Sequence, residues 1–119
     1  MVAINTTHRD PQHGRLTDAL DSPRPNTRLR AAMAAGTDPD PSFVGPLITR
    51  CAVEPDFFVR DMLTWALTRQ PDHLTVPRLL DELTSSGAQA RSQALHTLSK
   101  IKGTHTWSQV PVALLHDTD

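Results

Sequence analysis

DFFVRDMLTWALTR, residues 56–69, is the stretch on which the fold turns. Val59, Met62, Leu63 and Ala66 recur at helical spacing with Leu67 beside them, which predicts a helix with one apolar stripe. Asp56 stands where a side-chain oxygen can cap the first turn. Two other segments echo this one. An Arg follows an apolar residue at Leu29-Arg30, Val59-Arg60 and Ala90-Arg91, at separations of 30 and 31 residues. After each Arg the chain again reads as a helix. Repetition at that period points to a solenoid of stacked supersecondary units.

Upstream, Val44, Leu47, Ile48 and Cys51 at i, i+3, i+4 and i+7 predict a helix from Ser42 to about Ala52, with Gly45-Pro46 bending it or marking its start. Downstream of the Gln70-Pro71-Asp72 turn, Val76, Leu79, Leu80 and Leu83 repeat that stripe at an offset of 32 residues. A helix from about Ala88 to Lys102 follows, with Ala90, Ala94, Leu98 and Ile101 turned inward and Gly103 placed to cap its end. Towards the N-terminus, Asn26 or Thr27 is expected to cap a helix whose face is Leu29, Ala32, Met33 and Gly36. Arg24, Arg28 and Arg30 crowd its start, where the helix dipole disfavours cations. They read as solvated surface, with an anion or acidic partner as the device that would relieve them. Leu16, Ala19 and Leu20 form a short helix ended by Pro23 and Pro25. Residues 1–14 show no periodicity and read as a frayed lead-in to a solenoid over 15–119. The last helix, Thr106 to about His116, carries Trp107, Val110, Leu114 and Leu115. The expected architecture is all-α: three helical hairpins, each an outer helix A and an inner helix B, then a final unpaired helix. With Val112, that last helix lacks half its cover, which predicts a homodimer or partner contact through it.

Composition agrees. The chain has no Tyr and three Phe in 119 residues, so it leans away from sheet. A net charge of -1 gives neither a basic footprint for nucleic acid nor an acidic tail. One Cys excludes an internal disulfide framework and suits a reducing compartment. No apolar run approaches the roughly 18 residues that cross a bilayer, and the N-terminus lacks a signal-peptide pattern, so no membrane role and a cytoplasmic location are expected.

The unit VPRLLDELTSSGAQARSQALHTLSKI, Val76 to Ile101, resembles a HEAT repeat of the phycobilin-lyase-like type: Pro and paired Leu in helix A, a short turn, then apolar-Arg and Ala/Leu spacing in helix B. Residues 44–67 match nearly as well and 16–36 more loosely, so the resemblance spans about 15–116. It implies a right-handed α-α superhelix, a HEAT-like solenoid that serves as a binding scaffold. It also implies a structural role for the repeat arginines Arg30, Arg60 and Arg91, bonded to turn carbonyls or carboxylates.

If the B helices line the concave side, as in such arrays, residues one, five and nine positions after each Arg share a face. These are Asp61, Trp65 and Arg69 in the second unit and Ser92, His96 and Lys100 in the third. The first unit offers Ala31, Ala35 and Pro39, and Thr64 and Thr68 lie close to the same face. An exposed Trp with polar neighbours has the character of an interaction hot spot, although a Trp there also suits packing between repeats. The leading expectation is a non-catalytic protein-interaction scaffold for an unknown protein or peptide. The alternative is a DNA-binding role related to HEAT-like DNA glycosylases, with Asp61 and Trp65 one turn apart. Near-neutral charge weighs against it, because phosphate contacts supply most of the affinity for nucleic acid. The histidines show no metal-ligand spacing, Cys51 falls on an apolar stripe, and no catalytic triad, phosphate loop or dinucleotide fingerprint is present. No metal, cofactor or catalytic residue is assigned.

Overall fold

The computed structural model describes residues 11–102, and these form six α-helices and one short 3-10 turn, without a strand. The last-helix residues Trp107, Val110, Val112, Leu114 and Leu115, Gly103 and the dimer contact expected there lie outside the described residues. Helices α1 (Pro11–Leu20), α3 (Val44–Cys51) and α5 (Asp72–Glu82) are the A helices. Helices α2 (Pro25–Thr37), α4 (Phe57–Thr68) and α6 (Ala88–Ile101) are the B helices. Each A helix packs on the B helix that follows it, and α2, α4 and α6 pack in series as one layer. This is an all-α, HEAT-like stack.

Helix ends follow from local chemistry. Asp56 accepts a hydrogen bond from the Val59 amide at 3.1 Å and caps α4 as the sequence predicts. The expected Asn26 or Thr27 cap is not used. Pro25 opens α2, its fixed φ already suited to a first helical position, and Arg24 precedes it without a side-chain cap bond. Helix α1 likewise begins at Pro11, so residues 11–14, read as lead-in, are helical. Ser42 lies in the 3-10 turn Pro41–Phe43, which Asp40 caps through the Ser42 amide and hydroxyl. Those two bonds hold the Asp40 carboxyl below its ordinary pKa. Pro46 is tolerated in the first turn of α3, where backbone N–H groups have no helical acceptor. Pro77 sits inside α5, on its exposed side.

The apolar stripes meet in one core. Val44, Leu47, Ile48 and Cys51 of α3 pack with Val59, Leu63, Ala66 and Leu67 of α4 and with Ala94, Leu98 and Ile101 of α6, all buried. Leu80 and Leu83 are only partly buried against it, and Met33, read as core, is 43% exposed.

The arginine repeat has a different register from the one the apolar-Arg pairs suggest. Arg60 Nη1 donates to the carbonyls of Glu54 and Pro55, and Arg91 Nη1 donates to those of Ser85 and Ser86. These are the expected turn contacts, six and five residues back. In the first hairpin the residue that reaches six back is Arg28, whose Nη1 donates to Ser22 O at 2.8 Å. Arg30 is exposed and takes no such part. Arg28, Arg60 and Arg91 each occupy the fourth position of their B helix. Thr27 in place of an apolar residue hid the first of them.

Nor is Arg28 solvated. It is buried, and its Nε and Nη2 grip both oxygens of the fully buried Glu54 at 2.8 and 2.9 Å. Arg50 Nε and the Asp56 amide complete the shell around that carboxylate. Burial pushes the Glu54 carboxyl up, but Arg28, the Asp56 amide and Arg50 outweigh it and hold the group below its ordinary pKa. The hydrogen bond to Glu54 in turn raises the Arg28 guanidinium despite burial. The acidic partner that the cationic helix start calls for is therefore Glu54, from the next hairpin. Gln89 of the third hairpin reaches the same turn, donating through Nε2 to Cys51 O and Glu54 O. One turn thus ties three repeats together.

Candidate functional site

With Arg28 in register, the residue five positions after each arginine is Met33, Trp65 and His96. All three are exposed, one on each B helix. The corrected register supplies Leu29, Met33 and Thr37 as the first unit's contribution to the face, in place of Ala31, Ala35 and Pro39.

Trp65 is held in place from two sides. A Cβ at position 36 would overlap the Trp65 ring edge at Cζ3 and Cε3, so only Gly36 lets the indole lie on α2. The Arg69 guanidinium carbon sits 6.0 Å from the ring centroid, while its Nε donates to Gly36 O at 3.1 Å. Gln70 Nε2 adds a bond to Ala35 O at 3.0 Å. The ends of α2 and α4 are thereby fastened together around the indole. Both readings of Trp65 meet here: it packs between repeats on one edge and remains 40% exposed on the rest. A ring fixed this way loses little freedom on binding.

Met33, Asp61, Met62 and Trp65 line an open depression of about 420 Å³ between α2 and α4. The α6 residues Ser92, His96 and Lys100 are exposed but take no part in that lining. Thr64 does not belong to the face at all. It is buried between α4 and α6, its hydroxyl 3.2 Å from that of Thr97, because a step of one residue turns it about 100° from Trp65. Thr68 is half-buried and donates to Trp65 O at 2.6 Å.

Residue patterning missed two contributors, Phe57 and Phe58, which are 62% and 72% exposed. Their rings form an edge-to-face pair at 5.5 Å, and Arg60 lies 6.0 Å over Phe57. Phe58 precedes Met62 by four residues and Trp65 by seven, so it extends the same side of α4. The cue was present: both fall off the Val59–Leu63–Ala66 stripe, so nothing in the core accounts for them.

A larger cavity, about 550 Å³, opens on the A-helix side with His13, Asp21, Arg50 and Arg78 among its walls. It mixes both signs of charge, and Arg50 is already committed to Glu54. Among the described residues no three His, Cys, Asp or Glu converge as metal ligands, and no helix is long and apolar enough to cross a membrane. Burial pushes the Cys51 thiol up to about 12, which deprives it of thiolate at neutral pH.

No curated protein and no solved structure matches the chain. A family model of HEAT repeats matches residues 15–99. That match is to HEAT repeats in general and carries no assignment to the phycobilin-lyase-like branch. It runs from the first hairpin almost to the end of the third, and the chain belongs to the HEAT-repeat family.

Proposed function

We propose that this protein is a non-catalytic protein-interaction module that presents its B-helix layer, as the concave face of the array, to a protein or peptide. One observation carries the reading: Met33 and Trp65 stand exposed in the lining of an open depression between α2 and α4, and Phe58 is exposed one turn before Met62 on α4. Scattered exposed apolar residues are ordinary on a soluble protein, whereas a contiguous group beside a fixed Trp is the composition of an interface core. HEAT repeats commonly serve as protein-interaction scaffolds, and stacked repeats offer extended surfaces for that purpose. Asp61 and Arg69 give the apolar centre a polar border. The single, buried Cys51 supports a reducing, cytoplasmic setting.

The DNA-directed alternative draws no support from this lining. Gripping a phosphate backbone takes several cations, and the depression holds two methionines, a carboxylate and an indole. The test is quantitative affinity capture with the wild-type chain and with Trp65→Ala. Truncating a hot-spot Trp costs about 2 kcal/mol or more, roughly thirty-fold in affinity. Partners that Trp65→Ala retains at wild-type levels would remove the face from the function.

A further inference from the structure

The α4 face has a symmetry of its own. Asp61, Trp65 and Arg69 follow one another at intervals of four residues, with an acid at one end, the indole at the centre and a base at the other. Such a row is a ridge on the helix surface. When two helices pack ridge beside ridge in antiparallel fashion, position 61 of one lies against position 69 of the other, and position 65 lies on the axis. The Asp61 carboxylate is exposed and makes no ion pair or hydrogen bond among the described residues. Arg69 spends only its Nε on Gly36, which leaves two Nη groups for a carboxylate.

We propose that this face takes a second copy of the chain, packed about a twofold axis at Trp65, with Asp61 of each copy paired to Arg69 of the other. The inference rests on the interaction reading above and names the partner. A twofold interface must be complementary to itself, and a row ordered acid–indole–base meets that demand, whereas a row of one charge sign would repel its copy. Met33, Met62 and Phe58 supply the apolar surface that the contact removes from water. Methionines suit such a seam because they adapt their shape to the facing surface.

Area sets the strength. Helix α4 has 12 residues, about 18 Å of length, and α2 lies beside it at about 8–10 Å, so the contact covers on the order of 400–600 Å² per copy. A stable interface buries about 800 Å² per partner. The dimer is accordingly weak and reversible. The residues involved are other than those of the last-helix contact expected from sequence.

Sedimentation equilibrium of the full chain over about 5–500 µM tests it. Wild type should rise from monomer to dimer mass across that range, and added salt should weaken the rise. Asp61→Arg and Arg69→Glu should each remain monomeric, because each places like charges opposite one another. An equimolar mixture of the two variants should recover the dimer, since each then meets its complement. Circular dichroism checks that each variant is folded. Should Arg69→Glu fail to fold, the order of association wild type, then Asp61→Asn, then Asp61→Arg carries the test. Wild type at monomer mass throughout, single variants that associate like wild type, or a mixture that stays monomeric overturns the proposal. A monomer that still captures partners in a Trp65-dependent way removes the second copy and leaves the interaction module standing. A dimer with no such partners confines the module to self-association.

Discussion

Glu54 gathers more of the tertiary polar bonds than any other described residue, and its contribution has a definite sign with pH. Its folded pKa is depressed, so its stabilisation is present above the ordinary carboxylate range and is lost as pH falls through the folded value. Glu54→Gln leaves Arg28 buried without its counter-charge and should cost about 3–5 kcal/mol, measured by urea unfolding. The variant should also flatten the acid limb of the stability–pH curve. Arg30→Ala, at the arginine the sequence favoured, should stay within about 0.5 kcal/mol of wild type. That contrast separates the two registers directly. Which arginine does the work was legible only in part, because Arg60 and Arg91 follow apolar residues and Arg28 follows Thr27. Position from the helix start would have found it, had Pro25 been read as the first residue of α2. Gly36 supplies a second residue-scale test. Gly36→Ala drives a methyl into the Trp65 ring and to 3.0 Å from Ala66 Cα, so the ring must move. Overpacking of this kind costs about 1–3 kcal/mol, and the Trp65 contribution to fluorescence, isolated against Trp65→Phe, should shift to the red as the indole is released.

At the scale of the element, the stripes were readable because burial and helical spacing coincide. Val44, Leu47, Ile48 and Cys51 all reach the core, as do Ala90, Ala94, Leu98 and Ile101. Boundaries were less readable where proline, rather than a side-chain cap, starts the helix, as in α1 and α2. The Asp56 cap was recognised, and Asp56→Ala should destabilise the protein by about 1 kcal/mol in the same urea experiment. Cys51 reports on α3. With its thiol buried and raised to about 12, it should resist a disulfide reagent at pH 8 in the folded chain and react at once in denaturant. Prompt labelling without denaturant would show that α3 does not pack as described. The face residues were harder to place than the core. Thr64 and Trp65 adjoin in sequence yet point to different neighbours, and Phe57 and Phe58 declare themselves only once the core is seen to leave them out.

For the whole molecule, the stacked hairpins were visible from the repeat period, and what the period hid is how the hairpins are joined. Arg28 reaches forward into the second hairpin, Gln89 reaches back into it, and Arg69 and Gln70 fasten α4 to the end of α2. These ties make the B layer a rigid platform, and Met33, Trp65 and His96 mark equivalent points along it. Under the proposed function, this platform meets its partners at Trp65. The most direct measurement is paired affinity capture with wild type, Trp65→Ala and the opposite-face control Arg78→Ala, each verified to be folded by circular dichroism. Arg78→Ala should retain the wild-type partners and Trp65→Ala should lose them, with roughly thirty-fold weaker binding. Equal capture by Trp65→Ala, or loss confined to Arg78→Ala, would contradict the proposed function.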